Sequence, residues 1–336
     1  MIFKNLKEQL FFNKEEIIIN KKTIIRGMEV NLLSFTKDED KNTLWMLYKN
    51  ESIQDDISYE GYNLTNREEL INNITSNNIS ISEMIIQGQT VTFESSCSGS
   101  IEDINEYENM MIRHFIEEGL ISDEWDYVDT RNIIVARYEQ KEDEYFPKIN
   151  YNEDINIILK VDKEFKEVLV QHPFNVKIGK LDKDTKIYYF DEYTKEDKFF
   201  YLNEIRKYDI WEDISENLDK TIKHLEESQR EEIKRDYING VESICPKGMY
   251  LAIISYETED DMQLRFFTKE YLELKPKYDT YSSAVYFTFA FDDEESINGY
   301  KNRIEHLKPI EKNFDDELEI ELFSKYIEIP EEIILL

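Results

Sequence analysis

Two segments of this chain carry one pattern at a constant spacing of 221 residues, and that kinship constrains the fold more than any other feature. Gly248 to Phe267 reads GMYLAIISYETEDDMQLRFF, and Gly27 to Leu47 reads GMEVNLLSFTKDEDKNTLWML. Without a gap, Gly27 falls on Gly248, Met28 on Met249, Ser34 on Ser255 and Phe35 on Tyr256. The acids Asp38, Glu39 and Asp40 fall on Glu259, Asp260 and Asp261. In each segment a β-branched and aromatic run of strand length leads through a charged turn into a second apolar run, so each predicts an antiparallel hairpin.

A second echo follows at a spacing of 193 residues. Ile104, Asn105, Tyr107 and Asn109 match Ile297, Asn298, Tyr300 and Asn302. The apolar positions Ile104, Tyr107 and Met111, and likewise Ile297, Tyr300 and Ile304, recur at helical spacing. They predict helices over about Ile101–Glu118, ended by Gly119, and Ser296–Leu307, each after a strand (Ile85–Phe93, Ala284–Phe291). The smaller spacing places an insertion in the first copy, within the Asn-rich stretch Asn50–Ser82.

The expected fold class is therefore α+β, with two related antiparallel sheet-plus-helix units that a possible internal duplication would explain. Chance likeness of acidic hairpins in a Glu- and Ile-rich chain is the other explanation. The first unit spans residues 1–148. A β-rich region over 149–200 follows, with strands at Ile155–Val161, Glu167–Gln171, Asn175–Leu181 and Lys186–Phe190. Residues 201–336 hold a long helix, Glu212 to Ile238, and the second unit. Ile2–Phe12 reads as a short amphipathic helix, and Thr65 to Glu68 as a capping box ahead of another.

Charge bounds the partners. Of the formal −32, residues 51–150 hold 22 acids against 6 Lys and Arg, and residues 247–336 hold 21 against 10. Such a field repels nucleic-acid backbones and anionic lipid and attracts a basic partner. With 40% hydrophobic residues and 22 Tyr, 19 Phe and 3 Trp, the chain has the material for real cores. Cys97 and Cys245 are the only cysteines, which excludes a disulfide framework. The longest apolar uncharged run, Thr280 to Phe291, is too short to span a bilayer. With no secretory h-region near the amino end, a cytoplasmic protein is expected.

No catalytic constellation accompanies these units. His114, His172, His224 and His306 fall in different elements with no metal-binding spacing. Cys97, in the Ser/Gly loop SSCSGS at a helix start, could form a thiolate, but Glu102 and Asp103 oppose it. Asp182 and Asp184 begin like a calcium loop that Lys186 then breaks. Neither metal nor cofactor is expected, and phosphate-binding glycine loops are missing from the sequence. The candidate interaction residues are the turn acids Asp38, Glu39, Asp40, Glu259, Asp260 and Asp261 with Tyr107 and Tyr300.

The segment Glu242 to Glu270, the end of an acidic helix followed by MYLAIISYETEDDMQLRFFTKEYLE, resembles uncharacterised acidic α+β immunity-protein families of bacterial polymorphic-toxin systems. The resemblance implies a stoichiometric inhibitor of a toxin. The leading expectation is thus a non-enzymatic acidic binding protein for a basic toxin such as a nuclease. A DNA-mimicking regulator and a carboxylate-metal enzyme with a site between the two units are the alternatives.

Overall fold

The computed structural model describes residues 15–38, 41–50, 64–75, 78–224, 226–276 and 296–336. The expected helix Ile2–Phe12, the strand Ala284–Phe291, the turn acids Glu39 and Asp40 and residues 51–63, 76 and 77 of the Asn50–Ser82 insertion lie outside these residues. The fold is mixed α and β and rich in strands. The chain divides into two compact units, residues 1–60, 75–165 and 328–336 forming the first and residues 61–74 and 166–327 the second. Among the described residues no helix is long and apolar enough to cross a membrane.

The first unit is built on a nearly closed eight-stranded antiparallel sheet. Its spatial order is β1 (Glu15–Ile25), β2 (Met28–Lys37), β3 (Asn42–Lys49), β6 (Ile133–Gln140), β5 (Gln89–Ser100), β4 (Ile81–Ile86), β7 (Ile157–Val161) and β16 (Glu332–Leu335). Two tight hairpins set the register. Arg26–Gly27 joins β1 to β2 and Gln87–Gly88 joins β4 to β5, both with positive φ at both positions. Paired positive φ values match the right-handed strand twist, and glycine at the second position makes the turn cheap. Alternation sends Val30, Leu32, Met46, Tyr48, Met84, Tyr138 and Leu159 to the interior. Lys21 donates to the Ile155 carbonyl at 2.7 Å, and Arg26 reaches the Asp162 carbonyl and, at 2.8 Å, Glu164. These contacts tie β1 to the far side of the sheet.

On the outer face, Leu33, Trp45, Leu47 and Val135 are covered by Met111, Ile112 and Phe115 of helix α2 (Glu106–Glu117). The sequence starts and stops this helix clearly. The Asn105 side chain accepts from Glu108 N at 3.0 Å, and the Glu108 carboxylate accepts from Asn105 N at 2.9 Å. That reciprocal cap is worth about 1 kcal/mol. Gly119, at φ +70°, ends it, with Gly119 N bonded to Ile116 O and Leu120 N to Phe115 O. The SSCSGS segment is strand rather than loop, because it completes the pairing of β5 with β6, Cys97 opposite Arg137. Cys97 therefore lies exposed within a strand and well before the helix start.

The second unit has two sheets. One holds β10 (Lys186–Asp191), β11 (Glu196–Tyr208), β12 (Met249–Glu257) and β14 (Asn302–Glu311), with β9 (Gly179–Lys180) against β11. The other holds β13 (Leu264–Thr268), β15 (Glu317–Ile329) and β8 (Glu164–Lys177). One hydrophobic cluster joins them, with Phe200, Leu202, Ile254 and Tyr256 meeting Leu264, Phe266, Ile320 and Leu322. Helix α1 (Asn66–Thr75) begins with the capping box read from Thr65 and Glu68, Thr65 N donating to Glu68 at 2.7 Å. It packs Leu70, Ile71 and Ile74 with Phe323 and Leu272, the latter from the short helix α5 (Lys269–Glu273).

Three expectations are corrected here. The stretch Gly248–Phe267 is not a hairpin: β12 pairs with β11 on one side and β14 on the other, so no edge remains for β13, which pairs with β15. Ser296–Leu307 is not a helix, since residues 296–301 form a turn and β14 begins at Asn302. The cause is local: Gly299 sits at φ +94°, and Lys301 stands where the first copy has the capping glutamate Glu108. Finally, the long helix is two, α3 (Ile210–Thr221) and α4 (Glu227–Ile244). Folding back lets Ile214 and Leu218 of α3 meet Val241 of α4 and Cys245 just past its end, which a single charged rod would leave in water. Of the two hairpins, that of β2 and β3 forms as expected, Lys37 opposite Asn42.

Candidate functional site

In the second unit the residues of the expected interaction site meet an aromatic row on one sheet face. Tyr189 and Phe200 point into the core, so their strand neighbours point outward. The register sets Lys186 opposite Tyr201, Tyr188 opposite Phe199, and Phe190 opposite Asp197. Ring centroids step along the face: Tyr188 to Phe199 at 5.6 Å, Phe199 to Tyr201 at 5.3 Å, and Tyr201 to Tyr300 at 5.7 Å. The Lys186 ammonium lies 3.9 Å from the Phe199 centroid and 4.9 Å from that of Tyr201, so the row already holds one cation on its ring faces. Tyr188, Phe190 and Tyr193 remain 62%, 47% and 59% exposed.

Tyr300 joins the row because of a buried carboxylate. Glu257, opposite Tyr201 on β12 and fully buried, accepts the backbone N–H groups of Ile297 (2.7 Å), Asn298 (3.2 Å) and Tyr300 (3.0 Å). Asn203 Nδ2 and Ser296 Oγ donate to it as well. Burial pushes its pKa up, but these donors outweigh burial and hold it below the ordinary value. An amide chain continues the anchor, with Asn298 donating to Asn203 and both Asn203 and Ser255 donating to Asn302. The turn that presents Tyr300 is thus fixed on the sheet rather than loosely draped over it.

The turn acids of the second unit are partnered. Glu259 accepts from the Tyr300 hydroxyl at 3.2 Å, Asp260 meets Lys198 at 3.2 Å, and Asp261 meets Arg303 at 2.8 Å. Burial, then Glu259, raises the Tyr300 pKa. In the first unit the Tyr107 hydroxyl likewise bonds Asp38, and burial followed by the Asp38 charge pushes that phenol up to about 12. Its ring lies 5.9 Å from Trp45. The two matched tyrosines therefore each bond the first matched acid, one from a helix and one from a turn.

The remaining chemistry is dispersed. His114 faces Glu16 at 2.9 Å, His172 lies 6.5 Å from the Tyr189 ring, and His306 is 3.6 Å from Glu305. Among the described residues no group of three or more His, Cys, Asp or Glu is placed to hold a metal ion. Sequence reasoning missed Lys186, Tyr188, Phe199, Tyr201 and Glu257. The signal for two of them was present in KFFYLNEIRKY, a strand-forming run that begins at Lys198. No protein-family model, curated protein or solved structure matches this chain.

Proposed function

We propose that the protein is a non-enzymatic, acidic, cytoplasmic binding protein that neutralises a basic protein partner, most concretely as an immunity protein against a toxin. The observation that carries this reading is the aromatic row of β10 and β11, with Tyr188 and Phe190 exposed, on a chain of net charge −32. Exposed aromatic rings are the anchors that dominate protein interfaces, and Arg or Lys side chains of a partner stack on such rings as Lys186 does. The acidic excess supplies steering, which speeds encounter with a positive surface.

The test is affinity capture from the native host at low and moderate salt, with neighbouring gene products expressed alongside. One basic protein recovered at low salt and lost as salt rises is the expected result. Tyr188→Ala and, separately, Tyr188→Ser should each weaken that capture by tenfold or more while leaving thermal stability within about 0.5 kcal/mol, since the Tyr188 side chain is 62% exposed. Capture that is insensitive to both salt and these substitutions would refute the reading.

A further inference from the structure

Strand β10 ends its sheet: among the described residues it pairs with β11 on one side and with no strand on the other. Which of its backbone groups face that open side follows from one hydrogen bond. Leu202 N donates to the Thr185 carbonyl at 2.9 Å, in line with the register that sets Lys186 opposite Tyr201. Bonded pairs alternate along an antiparallel ladder, so Ile187 and Tyr189 spend their backbone groups on β11, while Lys186, Tyr188 and Phe190 turn theirs to the open side. The same residues carry their side chains on the aromatic face, since Tyr189 points into the core. Free edge groups and exposed rings therefore belong to one set of residues.

An open edge invites a further strand, and proteins guard against this with bulges, prolines or short lengths. The other outer strands among the described residues are guarded. The register of β1 breaks between Ile18 and Lys21, β8 holds Pro173, β14 holds Pro309, β16 has 4 residues, and β13 has 5 with a break after Arg265. β10 has an unbroken register from Lys186 to Asp191 and no proline, and the Lys186 ammonium lies over the Phe199 and Tyr201 rings instead of standing at the edge. Charge selects the occupant. A second copy of the chain would bring another −32, and the exposed Glu196 and Asp197 lie opposite Asp191 and Phe190 at the end of the strand. Opposite charges on neighbouring strands attract and like charges repel. We propose that β10 accepts an added antiparallel strand from a basic partner, whose backbone bonds Lys186, Tyr188 and Phe190 and whose alternate Arg or Lys side chains lie beside Tyr188 and Phe190. Main-chain bonds then supply affinity and the alternate side chains supply specificity. The inference rests on the protein-binding reading above and states how the partner is held.

Fluorescence polarisation on the full chain at low salt tests it. The probe is a labelled peptide of alternating Arg and Thr, long enough to span β10. One control is the same peptide N-methylated at each arginine, which keeps the charges and loses the N–H groups that would face β10, and another has Glu in place of Arg. The parent peptide should bind, the N-methylated one should bind at least about tenfold more weakly, and the Glu peptide should not bind. Phe190→Ala and Phe190→Pro both remove the ring, but only proline also removes the edge N–H, which takes no part in the β11 ladder. Phe190→Pro should therefore bind the parent peptide at least about fivefold more weakly than Phe190→Ala, with folding checked by circular dichroism. If the proline variant does not fold, the N-methylated peptide still decides. Four results would each overturn the proposal: no binding of the parent at millimolar concentration, equal binding of the parent and N-methylated peptides, equal binding of the Arg and Glu peptides, or a dimer of the free chain that Phe190→Pro dissociates. Equal binding of the parent and N-methylated peptides, with both lost in Tyr188→Ala, would remove the added strand and leave the aromatic reading standing, whereas failure to capture any basic protein would remove that reading itself.

Discussion

Glu257 is a fully buried carboxyl of the second unit and Glu305 a partly buried one, and their surroundings drive them in opposite directions. Glu257 is held low by the N–H groups it accepts. Its contribution to stability is present above the ordinary carboxyl value of 4.5 and is lost as pH falls through its depressed folded value. Glu257→Gln should therefore cost about 1–3 kcal/mol at pH 7, with the cost shrinking below pH 4.5. Urea unfolding at pH 7 and pH 4 measures both, and an equal cost at the two pH values would contradict the anchoring role. Glu305, 23% exposed, has no comparable set of donors. Burial pushes it up to about 7, with Arg265 opposing and Glu167 adding to the rise. Here the folded state binds the proton more tightly, so stability falls as pH climbs from 4.5 to 7. Glu305→Gln should stabilise the protein at pH 8 by about 1–3 kcal/mol and change little below pH 4.5. Destabilisation at pH 8 would show that the Glu305 carboxylate makes a favourable contact of its own.

Among the elements, β10 and β15 are tied through the core by Asp191 and Lys325, both with fully buried side chains. Thr194 Oγ1 and Tyr193 N also donate to Asp191, so the anion is well satisfied and the pair fixes how the two sheets meet. Replacing one partner leaves the other charged in an apolar interior. Lys325→Met should cost about 3–5 kcal/mol, while adding Asp191→Leu should recover part of that loss in a double-mutant cycle. Additive costs would mean that the two groups do not depend on each other.

The elements were legible where local chemistry decides them. The end of helix α2 was read from Gly119, but its start was placed at Ile101, because the Asn105–Glu108 cap that begins it at Glu106 went unread, whereas helix α1 was read from Thr65 and Glu68. The helix expected at Ser296–Leu307 failed although its apolar spacing matched, because Gly299 and Lys301 remove the cap and the partner strand β12 was waiting for β14. Pairing is decided by residues far apart, so GMYLAIISYETEDDMQLRFF held the strands of a hairpin without stating that each would take a distant partner. The aromatic row was hidden for the same reason. Tyr188 and Phe199 are neighbours only once β10 and β11 are in register, and Tyr300 joins them only through the Glu257 anchor. The tyrosine–acid pairs were within reach, since both followed from matched positions in the two echoes.

At the scale of the whole molecule, self-repulsion outweighs the exposed ion pairs. A net charge of −32 on 336 residues opposes compaction, and many of the ion pairs found are exposed, such as Lys195 with Glu192 and Lys247 with Glu242. Exposed pairs of this kind contribute about 0–1 kcal/mol each, so screening them costs little. Screening the excess acid gains more, because repulsion acts between all like charges within a Debye length, about 30 Å at 0.01 M salt and about 10 Å at 0.1 M. The free protein should therefore become more stable as salt rises over that range, with a higher melting temperature in sodium chloride. A basic partner would supply the same neutralisation locally, so the gain from salt should shrink once such a partner is bound. Thermal unfolding of the free chain at the two salt concentrations decides the first step. A falling melting temperature would mean that attractive pairs outweigh the net charge, and the acidic excess would then be part of what holds the fold together rather than a field directed outward at a partner.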